Sequence, residues 1–195
     1  VTGVQTCALP IFHPQDPNSS SRVLPFTREI YIERSDFMED PPKKYFRLSP
    51  GTEVRLRHAY VIRCTGVIHN SEGDVVELRC TYDESTLGKN PDDRKVKGVI
   101  HWVSVAHAHP VTVYQYDRLF NDANPAREED FLQFLNQDSL QEQQAFCEPA
   151  MASQPVNEVF QFERLGYYCV NQIDEKKNVN AFHRVVDLKD TWADK

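Results

Sequence analysis

Glu53-Val54-Arg55-Leu56-Arg57-His58-Ala59-Tyr60-Val61-Ile62-Arg63-Cys64 alternates in character almost without a break. Side chains of an extended strand point alternately to its two faces. On that rule Val54, Leu56, Tyr60, Ile62 and Cys64 share one face, which reads as core. Arg55, Arg57 and Arg63 share the other, with Ala59 and Val61 between them. Such a strand cannot bury its apolar face alone, so the stretch predicts a β-sheet. The run 53–69 is the longest strand candidate in the chain.

Working outward, Asn70-Ser71-Glu72-Gly73-Asp74 reads as a turn, and residues 75–82 return as the second arm of a hairpin. Upstream, Glu29-Ile30-Tyr31-Ile32-Glu33 alternates as well, and Ser35 reads as the cap of a brief helical turn ending before Pro41-Pro42. Downstream, residues 97–106 and 111–120 read as a strand pair around a turn at His109-Pro110. Further strands are expected at 158–163, 167–171 and 181–188. One segment differs. Asn124-Pro125, then Glu128, Glu129 and Asp130, then Phe131, Phe134 and Leu135 carry helix-start signals and predict a short helix to about Asn136. The expected fold is therefore mainly β, as sandwich or barrel. The length suits two consecutive small barrels, residues 22–99 and 100–192, better than one large one.

Composition narrows the class. The chain of 195 residues is 40% apolar, enough to build cores, and carries a formal net charge of −7. That balance argues against indiscriminate binding of polyanions but permits a local basic groove. No run of about 18 apolar residues is present, so no membrane helix is expected. Cys7, Cys64, Cys80, Cys147 and Cys169 form no Cys-x-x-Cys pair and fit no zinc spacing. An odd, irregularly spaced set points to reduced thiols and a cytoplasmic protein, with Cys64, Cys80 and Cys169 as small buried hydrophobes. Residues 1–12 lack an initiating Met and a basic start. They resemble translated adapter sequence and read as a non-native or disordered tail on a truncated chain. Residues 13–21, with two prolines and three serines, read as a linker.

Chemistry concentrates in one place. Residues 43–63 hold Lys43, Lys44, Arg47, Arg55, Arg57 and Arg63 against one acid, Glu53. Arginines two apart on one strand face lie about 7 Å apart, close to the spacing of successive phosphates or splayed bases. Their planar forks bind phosphate or a base edge through two bonds. Tyr45 and Phe46, between Lys44 and Arg47, supply rings. Cations interleaved with aromatics suit single-stranded RNA, whose unstacked bases need a platform and a neutralising wall. A solvated face of an ordinary barrel is the competing reading. A second basic knot, Arg94-Lys95-Val96-Lys97, follows Asp92-Asp93 and reads equally as an exposed turn or a phosphate contact. His101, His107 and His109 invite a metal-dependent hydrolase, but no zinc-binding motif accompanies them, and no metal is expected. No nucleophile motif and no phosphate-cradling glycine loop occurs, so no catalytic residue is expected.

Two stretches are more specific. Val96-Lys97-Gly98-Val99-Ile100-His101-Trp102-Val103-Ser104 and Glu53-Val54-Arg55-Leu56-Arg57-His58-Ala59-Tyr60-Val61-Ile62 resemble hallmark stretches of the glutaminyl-tRNA synthetases, the class I glutamine–tRNA ligases. Residues 22–37, 113–120, 160–166 and 188–192 resemble the same family in the same order. The resemblance implies the C-terminal anticodon-binding region, two antiparallel β-barrels with one or two short helices. It places catalysis, with ATP and magnesium, in an upstream half whose His-Ile-Gly-His and Met-Ser-Lys motifs are absent here. The expected partners are the anticodon stem-loop of glutamine tRNA and the catalytic half of the same chain, in a monomer.

Residue by residue, the resemblance places Arg55 at the reader of the first anticodon base, with Arg57 beside it. Arg47 falls where the family contacts the third base, a guanine, and Gln161 where it helps hold the central uracil. Lys44, Tyr45 and Arg164 complete the implied anticodon-binding set. Lys44 stands where bacterial members resemble one another in having glutamine, and Phe46 where they have lysine. Both departures bear on the central base and shift weight from hydrogen bonding towards charge and stacking. Two relatives of this reading stay open: an archaeal or eukaryotic-type glutamyl-tRNA synthetase, which shares the architecture, and a free-standing RNA-binding module.

Overall fold

A computed structural model describes residues 5–6, 18, 21–127, 129–174 and 179–188. The chain divides into two compact units, residues 1–108 with 148–150 and residues 109–147 with 151–195. Both are mainly β, as the alternation predicts, and their described helical segments are 3-10 turns of three or four residues.

The first unit contains β1 (Gln5–Thr6), β2 (Pro25–Phe26), β3 (Ile30–Tyr31), β4 (Glu53–Leu56), β5 (Val61–His69), β6 (Val75–Asp83), β7 (Val99–Ile100) and β8 (Val103–Ser104). A four-stranded sheet runs in the order β6-β5-β4-β7, while β1 pairs with β2 and β3 with β8. Apart from the pairing of Gln5 and Thr6 with Phe26 and Pro25, the expected tail 1–12 lies outside the described residues.

The long strand expected at 53–69 is in fact a tight hairpin. Leu56 N–H donates to Tyr60 O and Ala59 N–H to Leu56 O, both at 2.9 Å. His58 takes φ +60, a left-handed conformation that non-glycine residues adopt seldom. A turn over residues 57–60 preserves parity, so alternation cannot reveal it. Glu53 sits opposite Arg63 and Val54 opposite Ile62. The apolar face survives by pairing across the hairpin: Val54, Leu56, Tyr60, Ile62 and Cys64 are all buried, together with Phe26, Phe37, Leu48 and Ile100. Each such aliphatic side chain contributes roughly 1.5–3 kcal/mol by leaving water. Phe26 meets Tyr60, Tyr82 and Trp102 with ring centroids 5.1, 5.6 and 5.5 Å apart.

The second unit contains β9 (His109–Tyr116), β10 (Leu140–Cys147), β11 (Val159–Phe162), β12 (Gly166–Asp174) and β13 (Val179–Asp187), in the sheet order β10-β9-β13-β12-β11. Val111, Val113, Met151, Tyr168, Val170 and Phe182 form its core.

Several expectations need correction. The four- and five-stranded sheets are open rather than closed barrels, and each of these two contains one parallel pair, β4 with β7 and β9 with β13. A two-residue β7 is too short to carry closure. Residues 97–106 do not pair with 111–120. β7 joins β4, β8 joins β3, and His109-Pro110 opens β9 opposite Cys147 and Phe146 rather than forming a turn. The helix expected at 124–136 is replaced by 3-10 turns at Pro125–Arg127 and Phe131–Phe134. Asn121 N–H donates to Phe134 O and Asn136 N–H to Leu119 O, both at 2.8 Å, so tertiary pairing takes the backbone groups a helix needs. Ser35 lies inside the 3-10 turn Arg34–Asp36, whose N-cap is Glu33. Cys80 is exposed rather than buried, and Cys169 half-buried.

Candidate nucleic-acid interface

The basic segment is shaped by turns on either side of its rings. Tyr45 N–H donates to Pro42 O at 3.2 Å, and Lys44 takes φ +72 to close that turn, leaving its side chain in solvent. Tyr45 is half-buried, and its hydroxyl donates to Ser35 O at 3.2 Å. Burial raises the Tyr45 phenol above its ordinary value, against the lowering influence of the Arg34 charge. Phe46 is 53% exposed. Arg47 follows, half-buried, and its Nη1 donates to the carboxylate of Asp36.

Opposite this segment runs the strip that precedes β7. Gly98 is required there. A Cβ at that position would lie 2.5 Å from Phe46 O and 3.0 Å from Val54 Cγ1. Its carbonyl accepts from Arg55 N–H at 2.9 Å. This close approach sets Lys97 Nζ 5.0 Å from the centre of the Phe46 ring. Between the strips lies a cleft of about 320 Å³ whose charged walls are Arg47, Arg63, Lys95 and Lys97 against Glu53, with Tyr45 and Phe46 as its rings.

Glu53 is itself committed to structure. It accepts from Arg94 Nε at 2.8 Å and from Arg63 Nη2 at 3.1 Å. These bonds, Arg94 first, hold its carboxyl below the usual value. Arg94 also binds Asp83 at 3.0 Å and Asp93 at 2.9 Å. Surrounded by carboxylates, its own pKa is raised. The second basic knot therefore splits. Arg94 clamps β4 to the end of β6, whereas Lys95 and Lys97 face the cleft.

Of the residues singled out from sequence, Tyr45 and Arg47 line this cleft and Lys44 adjoins it. Arg55 and Arg57 do not line it. Arg55 lies half-buried on β4 between Val61 and Val99. Arg57 begins the hairpin turn, with its N–H donating to Ile100 O and its carbonyl accepting from Trp102 Nε1, both at 2.9 Å. Gln161 and Arg164 belong to the second unit. Gln161 is exposed on β11 opposite Tyr167, and Arg164, at φ +71, forms the turn into β12. That turn is backed by Phe162 stacked on Tyr168, with centroids 4.6 Å apart. Nothing in the sequence marks Asp36 for burial, since it is one of four acids within residues 33–40. Lys97 stands in the basic knot and in the stretch 96–104, and neither pattern places it over the Phe46 ring.

Among the described residues no group of three or more His, Cys, Asp or Glu could hold a metal ion. No helix among them is long and apolar enough to cross a membrane.

Two families, each described as tRNA synthetases class I (E and Q), anti-codon binding domain, match the chain, one over residues 3–83 and the other over residues 99–171. Curated relatives include the glutamine–tRNA ligases of Yersinia pestis (strain Pestoides F) and Yersinia pseudotuberculosis serotype O:1b. Each is 52% identical over 184 residues, covering 94% of this chain and 33% of the relative. The chain thus spans about one third of the length of these relatives.

Proposed function

This chain belongs to the anticodon-binding domain family of the class I tRNA synthetases for glutamate and glutamine, and from that membership we propose that it reads the anticodon loop of glutamine tRNA. The observation that carries the reading is the cleft lined by Phe46 and Lys97, where four cations and two rings meet a single acid. A body of net charge −7 with a cationic, ring-lined hollow among its described residues favours a specific RNA loop over RNA in general.

In this reading Arg47 contacts the third base, Arg55 with Arg57 the first, and Gln161 with Arg164 the central one. Lys44 and Tyr45 flank the loop. An amide such as Gln161 offers one donor and one acceptor, which matches a pyrimidine edge. Phosphate contacts set position and base contacts set identity. The parent enzyme would be a cytoplasmic monomer that attaches glutamine to tRNA, with ATP and magnesium handled by its catalytic part. Loop docking here would promote alignment of the acceptor end there, a coupling that requires both parts.

The test is equilibrium binding of the 195-residue chain to glutamine tRNA and to the same tRNA with altered anticodon bases, at fixed ionic strength. A several-fold or greater preference for the native anticodon is expected. Equal affinity for every anticodon would refute base readout. Preference for a glutamate anticodon would move the chain to the other branch of the family.

A further inference from the structure

Asp36 is fully buried, yet its partner Arg47 keeps 37% of its side chain exposed at the wall of the cleft. Two backbone bonds fix the carboxylate in place: Asp36 N–H donates to Glu33 O at 2.9 Å, and Asp36 O accepts from Leu48 N–H at 3.0 Å. Leu48 directly follows Arg47 and is itself fully buried, so the arginine is held by its backbone as well as by its Nη1. A carboxylate taken out of water is costly, and one placed only to decorate a surface gains little. A buried acid under a half-exposed guanidinium does something else. The guanidinium is planar and rigid, so anchoring Nη1 fixes its plane and leaves the Nε and Nη2 donors along its other edge. Two parallel donors of that kind match the O6 and N7 acceptors of guanine.

We propose that Asp36 is the positioning residue for Arg47, setting the guanidinium plane so that its remaining edge meets the third anticodon base. The inference rests on the reading of Arg47 given above, and the test separates the two. The measurement is the ratio of affinities of the full 195-residue chain for glutamine tRNA with guanine and with adenine at the third anticodon position, at one salt concentration. A parallel ratio is taken for a change at the first position. Partial unfolding lowers both affinities in a ratio equally, so a variant of reduced stability still reports.

Asp36→Asn and Arg47→Lys are each expected to lose about fivefold or more of third-base discrimination while first-base discrimination stays within about twofold. Asp36→Glu, which keeps the charge, should recover part of the lost ratio. If Arg47→Lys loses discrimination and Asp36→Asn keeps it, Asp36 is structural only and the inference is overturned. If Arg47→Lys also keeps it, the third-base reading of Arg47 falls, and the inference with it.

Discussion

Lys97 Nζ stands 5.0 Å from the centre of the Phe46 ring, and the ring is more than half exposed. An ammonium over an aromatic face steadies both groups and joins charge to a stacking surface. If an unstacked base uses the ring, Phe46→Ala weakens tRNA binding by about 1–3 kcal/mol. Lys97→Gln acts differently. It lowers the slope of log Kd against log salt by about one, the signature of one lost phosphate contact. Titration at several salt concentrations checks both. An unchanged slope for Lys97→Gln would remove Lys97 from the interface.

Gly98 allows the approach that places Lys97. Because a Cβ there meets the Phe46 carbonyl at 2.5 Å, Gly98→Ala must push two backbone segments apart. A cost of about 1–3 kcal/mol is expected, read as a lower Tm, together with weaker tRNA binding. Gly66→Ala is the control. Its Cβ meets Arg79 Cβ at an ordinary 3.6 Å, and its effect should be small. Equal effects of the two substitutions would show that crowding at Gly98 is not the determinant.

The contrast between β4 and β10 shows how far sequence alone could go. Val54 and Leu56 are legible because each is apolar, alternates with arginine and is fully buried. β10 reads Leu-Gln-Glu-Gln-Gln-Ala-Phe-Cys and lies on the sheet edge, mostly exposed, so neither propensity nor alternation marks it. Sheet order was hidden for a related reason. The parallel partners of β4 and β9 come from distant sequence, and no local pattern encodes a long-range pairing. In the candidate site, the cluster of Lys44, Tyr45 and Arg47 stood out by composition. The buried Asp36 beneath Arg47 did not, since which of the four acids in residues 33–40 is buried is a property of the fold.

Glu53 gives the first unit a pH dependence of defined sign. Its carboxyl is held below the ordinary 4.5, chiefly by the Arg94 hydrogen bond. The stabilisation is therefore present above about 4.5 and is lost as pH falls through the lowered value. Glu53→Gln should lower Tm at pH 7 by a few degrees and shrink the fall in Tm between pH 5 and pH 3. Thermal melts of both proteins at those pH values decide it. An identical acid-side slope in the variant would assign the effect to other carboxylates.

Cys80 lies directly across from Cys64 on β6 and β5. Cys64 spends its own backbone groups on the other side, donating to Thr52 O at 3.2 Å and accepting from Gly51 N–H at 2.9 Å. The two cysteines are thus a pair without hydrogen bonds between them, the geometry that brings facing side chains closest. Cys80 as a residue is exposed at the edge strand, and as the cross-strand partner of the buried Cys64 it carries its side chain on the same face of the sheet. Burial first, and the Cys64 thiol second, push the Cys80 thiol up to about 12. Only a thiolate attacks an alkylating reagent. At pH 8 Cys80 should therefore react with iodoacetamide at least about a hundredfold more slowly than an unhindered thiol, and speed up about tenfold per pH unit towards pH 11. Linkage has the matching sign. The neutral thiol stabilises the folded chain below the ordinary value of 9.0, and that contribution is lost as pH rises towards 12. Since burial is the larger cause, Cys64→Ala should leave Cys80 slow. Site-resolved mass spectrometry of the labelled chain measures each rate, and rapid labelling of Cys80 at pH 8 would show that its sulfur faces water.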